Sequence, residues 1–390
     1  MTPWYGGNLG GVAVSAASTV AALRRIGVPV VVLQMESASS LVSIRRGAVG
    51  ERVISLSMTP LLSTTPLRTP GRLLRALVGN WVKRRFISLV LWTLIHRYGL
   101  RLVHFQYCAE SYDEIRRAAE RYGIPIVVTF RGSEVNVHFD SPEIGGVIRR
   151  LIRSAVRITT VSAGLGATLA ELSPEAAKKS QVIRNAVPLS VWDASAAREP
   201  EPSRARDIDV LYAGNLVHVK GPDQLLQAFE IVRAAVPRAK LVLIGAGTME
   251  AQLRRQVRAA GLEEAVRFDG RIDRAAILDY YNRARVLALP SRNEGMPLAA
   301  MEAQIVGVPV VAMDVGGVRE VLLPGETGFV VPAGDVKAFA DALRTLLEDE
   351  PRRVQFGKAA RRHALAAFDP IDMASRYEAM YEQIAPDAKT

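Results

Sequence analysis

The sequence predicts an α/β protein made of two doubly wound parallel sheets, one in each half of the chain. Three observations predict it. Short runs rich in Val, Ile and Leu recur along all 390 residues. These runs lack the polar–apolar alternation of a sheet with one wet face, so helices are expected on both faces. Segments of helical character separate them, and strand–helix–strand repetition marks a parallel sheet. A polar, Pro-containing stretch with no apolar period, residues 193–206, divides the series and reads as an interdomain linker.

The elements follow in order. An apolar, small-residue stretch from Leu9 to Leu23 reads as a buried helix. Arg24 and Arg25 follow it instead of preceding it, which argues against a signal peptide. Strands are expected at 28–33, 102–105, 124–130, 158–162 and 181–185, then at 208–214, 239–245, 265–270, 286–290, 308–313 and 328–332. Helices are expected at 222–236, 248–261 and 370–384. The predicted organisation is a first domain over 1–192, a linker over 193–206, a second domain over 207–368, and a tail over 369–390 whose helix crosses back onto the first domain. In such sheets ligands bind beyond the carboxyl ends of the strands, so two facing edges form a deep cleft. The Gly-rich turn GGNLGG opens at Gly6, directly after MTPWY. Five residues that include Pro3 are too few for a central first strand, so the first strand is expected to be truncated.

Composition narrows the classes. With 49% hydrophobic and 23% charged residues the chain is globular, not disordered or collagen-like. The single cysteine, Cys108, excludes an intrachain disulfide and a cysteine-cluster zinc site, and fits a cytoplasmic setting. His96, His138 and His363 show no ligand spacing. No apolar run reaches the roughly 20 residues of a membrane span. Charge is lopsided: residues 1–200 hold 25 Lys+Arg against 13 Asp+Glu, and the remainder 25 against 26. The excess gathers in 71–101, where Arg72, Arg75, Lys83, Arg84, Arg85, Arg97 and Arg101 interleave with Trp81, Phe86 and Trp92. That is the pattern of a basic amphipathic helix able to lie on an anionic membrane, here the inner face of the plasma membrane. An ordinary solvated helix face has the same composition. No nucleic-acid motif accompanies the charge, and no nucleic acid is expected as a partner.

The densest chemical signal is SRNEGMPLAAMEAQIVGVPVVAMDVGGVREVLLPGETGFVVPAGD, residues 291–335. Glu294 and Glu302 are eight apart, with a helix expected to start near Pro297, so Glu302 lies within the helix and Glu294 in the loop before it. Loop and helix-start N–H groups bind anionic oxygens, and carboxylates accept hydroxyl hydrogen bonds. A nucleotide sugar offers both a diphosphate and vicinal hydroxyls. No Asp-x-Asp ligand pair is expected, and Lys220 with helix-start N–H groups can meet leaving-group charge without a metal. The expected transition state is oxocarbenium-like.

This run closely resembles the donor-binding motif of retaining glycosyltransferase family 4, which has the two-Rossmann GT-B fold. Other pieces match in order: GGNLGG (6–11) with its helix, LVHF (102–105), PIVVTFRGSE (125–134), TTVS (159–162), VIRNAVPLSVW (182–192), LYAGNLVHVKGPDQLLQAF (211–229) and LVLIGAG (241–247). The resemblance implies an acceptor-binding first domain, a donor-binding second domain and no cofactor beyond the nucleotide-diphosphate sugar, which is a co-substrate. The acceptor is expected to be a glycan or a lipid-linked glycan. By resemblance, Glu302 binds the donor ribose and Glu294 the transferred sugar, and Gly295, Met296, Pro297 and Leu298 contact sugar and phosphate. Lys220 neutralises the diphosphate, and Gly6 and Gly7 let the first-domain loop approach the reacting centre. Gly214, Gly245 and Gly247 sit at strand ends facing the cleft. Glu320 resembles a position near the nucleobase, though a helix-start Glu would look the same. Trp4, Tyr5 and His104 are placed on the acceptor side, though His104 also reads as a satisfied buried histidine. His218 and Cys108 read as an exposed loop residue and a packing residue.

Two positions depart from the family. Arg131 stands where His is usual, and Asn215 where Arg commonly grips the diphosphate. Arg131 is a permanent cation and no base, and is expected to restore part of the lost diphosphate charge balance. A surface salt bridge to Glu134 is its plainer reading. These departures keep open a catalytically silent sugar-nucleotide-binding protein of the same fold. An epimerase or phosphorylase on this fold is disfavoured by the Glu294–Glu302 context.

Overall fold

In the computed structural model the β-branched runs become parallel strands, and residues 11–36, 42–46, 52–57, 85–108, 112–197, 206–273 and 276–386 are described. Helix α1 (Gly11–Arg25) leads to β1 (Val31–Glu36), β2 (Val42–Arg46) and β3 (Arg52–Ser57), paired in the order β1-β3-β2. Here β1 and β3 are parallel and β2 is antiparallel. Helix α2 is described over 85–98. Next come β4 (Val103–Phe105), α3 (Asp113–Arg121), β5 (Ile126–Phe130), α4 (Ser133–Asn136), α5 (Gly145–Ser154), β6 (Arg157–Thr160), α6 (Ala163–Leu172), α7 (Pro174–Lys179), β7 (Ser180–Val182) and α8 (Leu189–Ser195). Their strands form a four-stranded parallel sheet, β4-β5-β6-β7.

The second half runs β8 (Ile208–Ala213), α9 (Pro222–Ala235), β9 (Leu241–Ile244), α10 (Glu250–Ala259), β10 (Val266–Gly270), α11 (Ile277–Arg283), β11 (Ala284–Leu289), α12 (Leu298–Ile305), β12 (Val310–Met313), β13 (Gly328–Val331), α13 (Val336–Glu348), α14 (Glu350–Ala367) and α15 (Pro370–Ile384). Its parallel sheet has the order β10-β9-β8-β11-β12-β13. That is the doubly wound 3-2-1-4-5-6 pattern, whose direction of winding reverses between β8 and β11. The crevice outside the carboxyl ends of those two strands is the ligand position the topology favours.

Apolar runs make these strands because both faces are covered: every residue of β5, β9 and β12 is buried. Helix α13 turns Phe339, Ala340, Leu343 and Leu346 into the core, spaced for one helical face, and the Asp335 side chain accepts from Ala338 N to start it. Each such fully buried Phe or Leu contributes about 1.5–3 kcal/mol. Asp369 caps α15 by accepting from Ile371 N, with Pro370 in the first turn. Helix α15 then buries Met373, Ala374, Tyr377 and Met380 against Ala22 and Leu23 of α1 and Val127 of β5. The tail helix therefore crosses back onto the first domain, as expected.

Three expectations are corrected or left aside. Among the described residues the first half forms two sheets in place of the expected one, with no strand hydrogen-bonded between β1 and β4. Strands β2 and β3 were not legible. The predicted linker is shorter at its start: Asp193–Ser195 end α8, held where Arg361 of α14 donates to Ser195 O (3.1 Å) and Ala196 O (3.3 Å). The expected truncated first strand and residues Trp4, Tyr5, Gly6 and Gly7 lie outside the described residues, as do 71–84 of the basic stretch.

Candidate functional site

Lys220 lies in the single helical turn His218–Lys220 that follows β8, and Glu294 lies in the loop that follows β11. The winding reversal therefore brings them together. Lys220 Nζ donates to Glu294 Oε1 at 2.8 Å, and Ser291 Oγ donates to the same oxygen at 2.6 Å. Glu294 is only 6% exposed, so its charge is held by a built pair and not by solvent. Glu302 sits one turn into α12, 2% exposed, and accepts from Tyr281 OH of α11 at 2.9 Å. The start of α12, at Pro297 and Leu298, has no side-chain cap.

The first domain meets this loop at bare backbone. A Cβ on Gly295 would stand 1.9 Å from Arg131 O, and one on Gly132, whose φ is +141°, would stand 3.1 Å from Gly295 Cα. Behind the loop, a Cβ on Gly317 would lie 2.1 Å from Gly295 O. Asn185 Nδ2 reaches Met296 O at 3.5 Å, and Asn136 Nδ2 donates to Asn293 Oδ1 at 2.7 Å. Glu320 is not spent on open solvent: its two oxygens accept from Ala163 N and Gly164 N at 2.9 Å each, at the start of α6, and Arg184 Nε donates to it at 3.2 Å. A carboxylate at a helix start is favoured by the helix dipole. So Glu320 ties the second domain to the first.

Arg131 corrects the plainer sequence reading. It is buried, 7% exposed, and makes no ion pair with the Glu134 side chain. Its guanidinium donates to Ser15 Oγ, to Gln106 O (3.2 Å) and Oε1, and to Asn185 Oδ1 (3.0 Å), all neutral acceptors. Burial pushes its pKa down. Glu134 instead accepts through Oε2 from Arg131 N (3.3 Å) and Gly132 N (3.1 Å), and burial pushes its pKa up against those bonds. Arg131 thus joins α1, the end of β4 and the segment after β7, directly behind the Gly132–Gly295 contact.

His104 serves the interior. Its ring meets Tyr381 OH at 2.6 Å and Thr129 Oγ1 at 2.7 Å, and Gln106 Nε2 lies 3.0 Å from Nδ1. Burial, then neighbouring positive charge that includes Arg131, holds its pKa well below the ordinary histidine value. It links α15 to the Arg131 cluster through Gln106. Cys108 is buried, and burial pushes its thiol up, as packing predicts. Asn215 and His218 are exposed.

The glycines after β8 and β9 have a local reason. A Cβ on Gly245 would stand 1.9 Å from Gly214 O, and one on Gly247 would stand 2.2 Å from Leu216 O. Neighbouring protein backbone, not open cleft, demands glycine at those two positions. An Asp-x-Asp triplet does occur, Asp207-Ile208-Asp209, but it opens β8, at the edge opposite the site. Asp207 pairs with Arg283 (2.6 Å) and Asp209 with Arg285 (3.0 Å). Sequence reasoning missed Ser15, Gln106, Asn185, Tyr281 and Ser291. Of these Ser15, Asn185 and Ser291 lay inside stretches already singled out, and Gln106 and Tyr281 did not.

The chain matches two family models in tandem: Glycosyltransferase Family 4 over residues 9–191 and Glycosyl transferases group 1 over 193–363. It belongs to the GT-B glycosyltransferases of family 4. It is 31% identical over 259 residues to a glycogen synthase of Mycobacterium tuberculosis, covering 64% of this chain and 61% of that one. It is 29% identical to the D-inositol 3-phosphate glycosyltransferase of Kineococcus radiotolerans, covering 92% and 87%. The match to the glycogen synthase therefore spans under two thirds of that relative's length. The sucrose-phosphate synthase of Thermosynechococcus elongatus shares the fold, with a TM-score of 0.74 at 21% identity over 96% of this chain and 94% of that one. The two-lobed architecture expected from the motifs is thus the architecture of the family.

Proposed function

We propose that this glycosyltransferase moves a sugar from a nucleotide-diphosphate donor to a glycan or lipid-linked acceptor in cell-envelope or polysaccharide synthesis. The transfer retains anomeric configuration and needs no metal ion. The observation that carries the reading is the Lys220–Glu294 pair at the winding reversal, closed over by Gly132 of the first domain. Breaking the sugar–diphosphate bond places negative charge on the leaving oxygen. In this reading the Lys220 ammonium and the uncapped N–H groups at the start of α12 meet that charge. Glu294 accepts hydroxyl hydrogen bonds from the transferred sugar, and Glu302 those of the ribose. Arg131 is too basic to deprotonate an acceptor, so in this reading the acceptor attacks from the face the leaving group departs and passes its hydroxyl proton to the departing diphosphate oxygen, with no protein nucleophile assigned. The relatives named for glycogen and for inositol 3-phosphate support a polyhydroxylated acceptor.

Calorimetry with UDP-glucose, ADP-glucose and GDP-mannose tests the donor half. At least one is expected to release heat, with Lys220→Ala weakening that binding about tenfold, the scale of one charge-assisted contact. Silence across all three overturns the reading. Tight binding with neither transfer nor hydrolysis would favour the silent binding protein.

A peripheral membrane site is part of the proposal. Among the described residues no helix is long and apolar enough to cross a membrane. Helix α2 buries Ile87, Leu91 and Leu94, while Leu89 (59% exposed) and Trp92 (45%) face outward on the helix that carries Arg85 and Arg97. Exposed apolar side chains among cations suit an anionic bilayer surface. Co-sedimentation with phosphatidylserine vesicles is expected to fall several-fold in Leu89→Ser/Trp92→Ser. Equal pelleting of both proteins would refute membrane docking through α2.

A further inference from the structure

Taking Lys220 as the diphosphate ligand, we propose that Arg292 is the positioning residue that sets where the Lys220 ammonium stands. Lys220 has a long, flexible stem, and its side chain is one-third exposed. The Glu294 contact at 2.8 Å holds the end of that stem, and the backbone root sets where the stem begins. That root is a single turn, and the turn is clamped from both sides by one guanidinium. Arg292 Nη1 donates to His218 O at 2.8 Å, on the near side of Lys220. The same nitrogen and Nη2 donate to the two carboxylate oxygens of Asp223, at 2.8 and 2.7 Å, on the far side. Arg292 N also donates to Val219 O at 2.9 Å. The staple therefore closes over residues 218–223 with Lys220 in the middle.

The turn has little other freedom. Gly221 takes the left-handed conformation, with φ at +64°, and a Cβ there would stand 2.0 Å from Pro290 O. Gln224 Nε2 donates to that same carbonyl at 2.8 Å. The turn is thus pressed onto the end of β11, from which Ser291, Arg292 and Glu294 all issue. Arg292 is covalently two residues from Glu294, so one short segment fixes the carboxylate and, through its guanidinium, the ammonium opposite. Because Asp223 matches the Arg292 charge, the clamp brings no net charge to the site. Its contribution is geometric: a planar fork spanning a carbonyl and a carboxylate, which lysine cannot reproduce. A displacement of about 1 Å in a group that meets developing charge can cost up to a hundredfold.

A double-mutant cycle on nucleoside diphosphate affinity tests this, with UDP, ADP and GDP titrated by calorimetry and the tightest followed. Arg292→Lys is expected to weaken binding about tenfold, with the melting temperature within a few degrees of wild type. In a Lys220→Ala background the same substitution is expected to change affinity less than twofold, because its effect passes through the missing ammonium. A tenfold loss that persists in that background makes Arg292 an independent ligand and overturns the proposal. So does an Arg292→Lys protein that binds like wild type. If Lys220→Ala alone leaves affinity unchanged, the donor-site reading fails first, and the positioning role fails with it.

Discussion

Gly295→Ala is expected to lower turnover about a hundredfold while leaving both domains folded. The added methyl would stand 1.9 Å from Arg131 O, 2.9 Å from Arg131 C and 3.2 Å from Gly132 Cα. All three are backbone atoms, so no side chain can swing away. The loop cannot retreat either, because a Cβ on Gly316 would already lie 1.9 Å from Glu294 O and one on Gly317 2.1 Å from Gly295 O. The strain is relieved only by parting the two domains. That withdraws Arg131 and Gly132 from the donor loop and stretches the contacts of Glu320 with the start of α6. No buried hydrophobic cluster contains Gly295, so the melting temperature should move by a few degrees at most. Donor affinity should change far less than kcat, since the proposed donor residues Lys220, Glu294 and Glu302 all belong to the second domain. A Gly295→Ala protein that turns over within threefold of wild type would show that this contact is not required for transfer.

The parts of this arrangement that were legible in the sequence share a cause. Strands β9 and β12 and helices α9 and α15 are dictated by local composition: unbroken buried runs, a Pro in the first turn, an Asp cap before α15. The Glu294–Lys220 meeting was legible one step further out, since each residue closes a strand end and parallel winding collects strand ends on one edge. Strands β2 and β3 were not, because VSIRR and RVISLS mix charge and serine into short runs. The Arg131 cluster was not legible either. Its partners Ser15, Gln106 and Asn185 stand 116, 25 and 54 residues away, and only the packing of α1 on the first-domain sheet joins them. Spacing gave Arg131 a neighbour, Glu134, and the chain turned the guanidinium the other way, where α1 and Gln106 offered buried acceptors. Arg292 illustrates the same limit. It lay inside the most conspicuous motif, yet its work is visible only once Asp223 arrives from the start of α9.

Removing the Glu302 carboxylate is expected to be the most damaging change to donor binding, and its signature differs from that of Lys220. Glu302 is buried in α12 with its orientation set by the Tyr281 hydroxyl. If it receives the two ribose hydroxyls, Glu302→Ala forfeits two charge-assisted hydrogen bonds of about 1.5 kcal/mol each, a loss near or above a hundredfold. It also removes the 2.9 Å hydrogen bond from the buried Tyr281 hydroxyl, which adds about 1–3 kcal/mol of destabilisation. Tyr281→Phe in the same background should recover the stability and none of the affinity, separating the structural cost from the ligand contact. Ribose is common to mono- and diphosphates, so Glu302→Ala should weaken UMP and UDP by the same factor. Lys220→Ala should weaken UDP more than UMP, because its proposed partner is the diphosphate. Undiminished binding of both nucleotides by Glu302→Ala would remove the ribose contact, and with it the assignment of α12 as the donor helix.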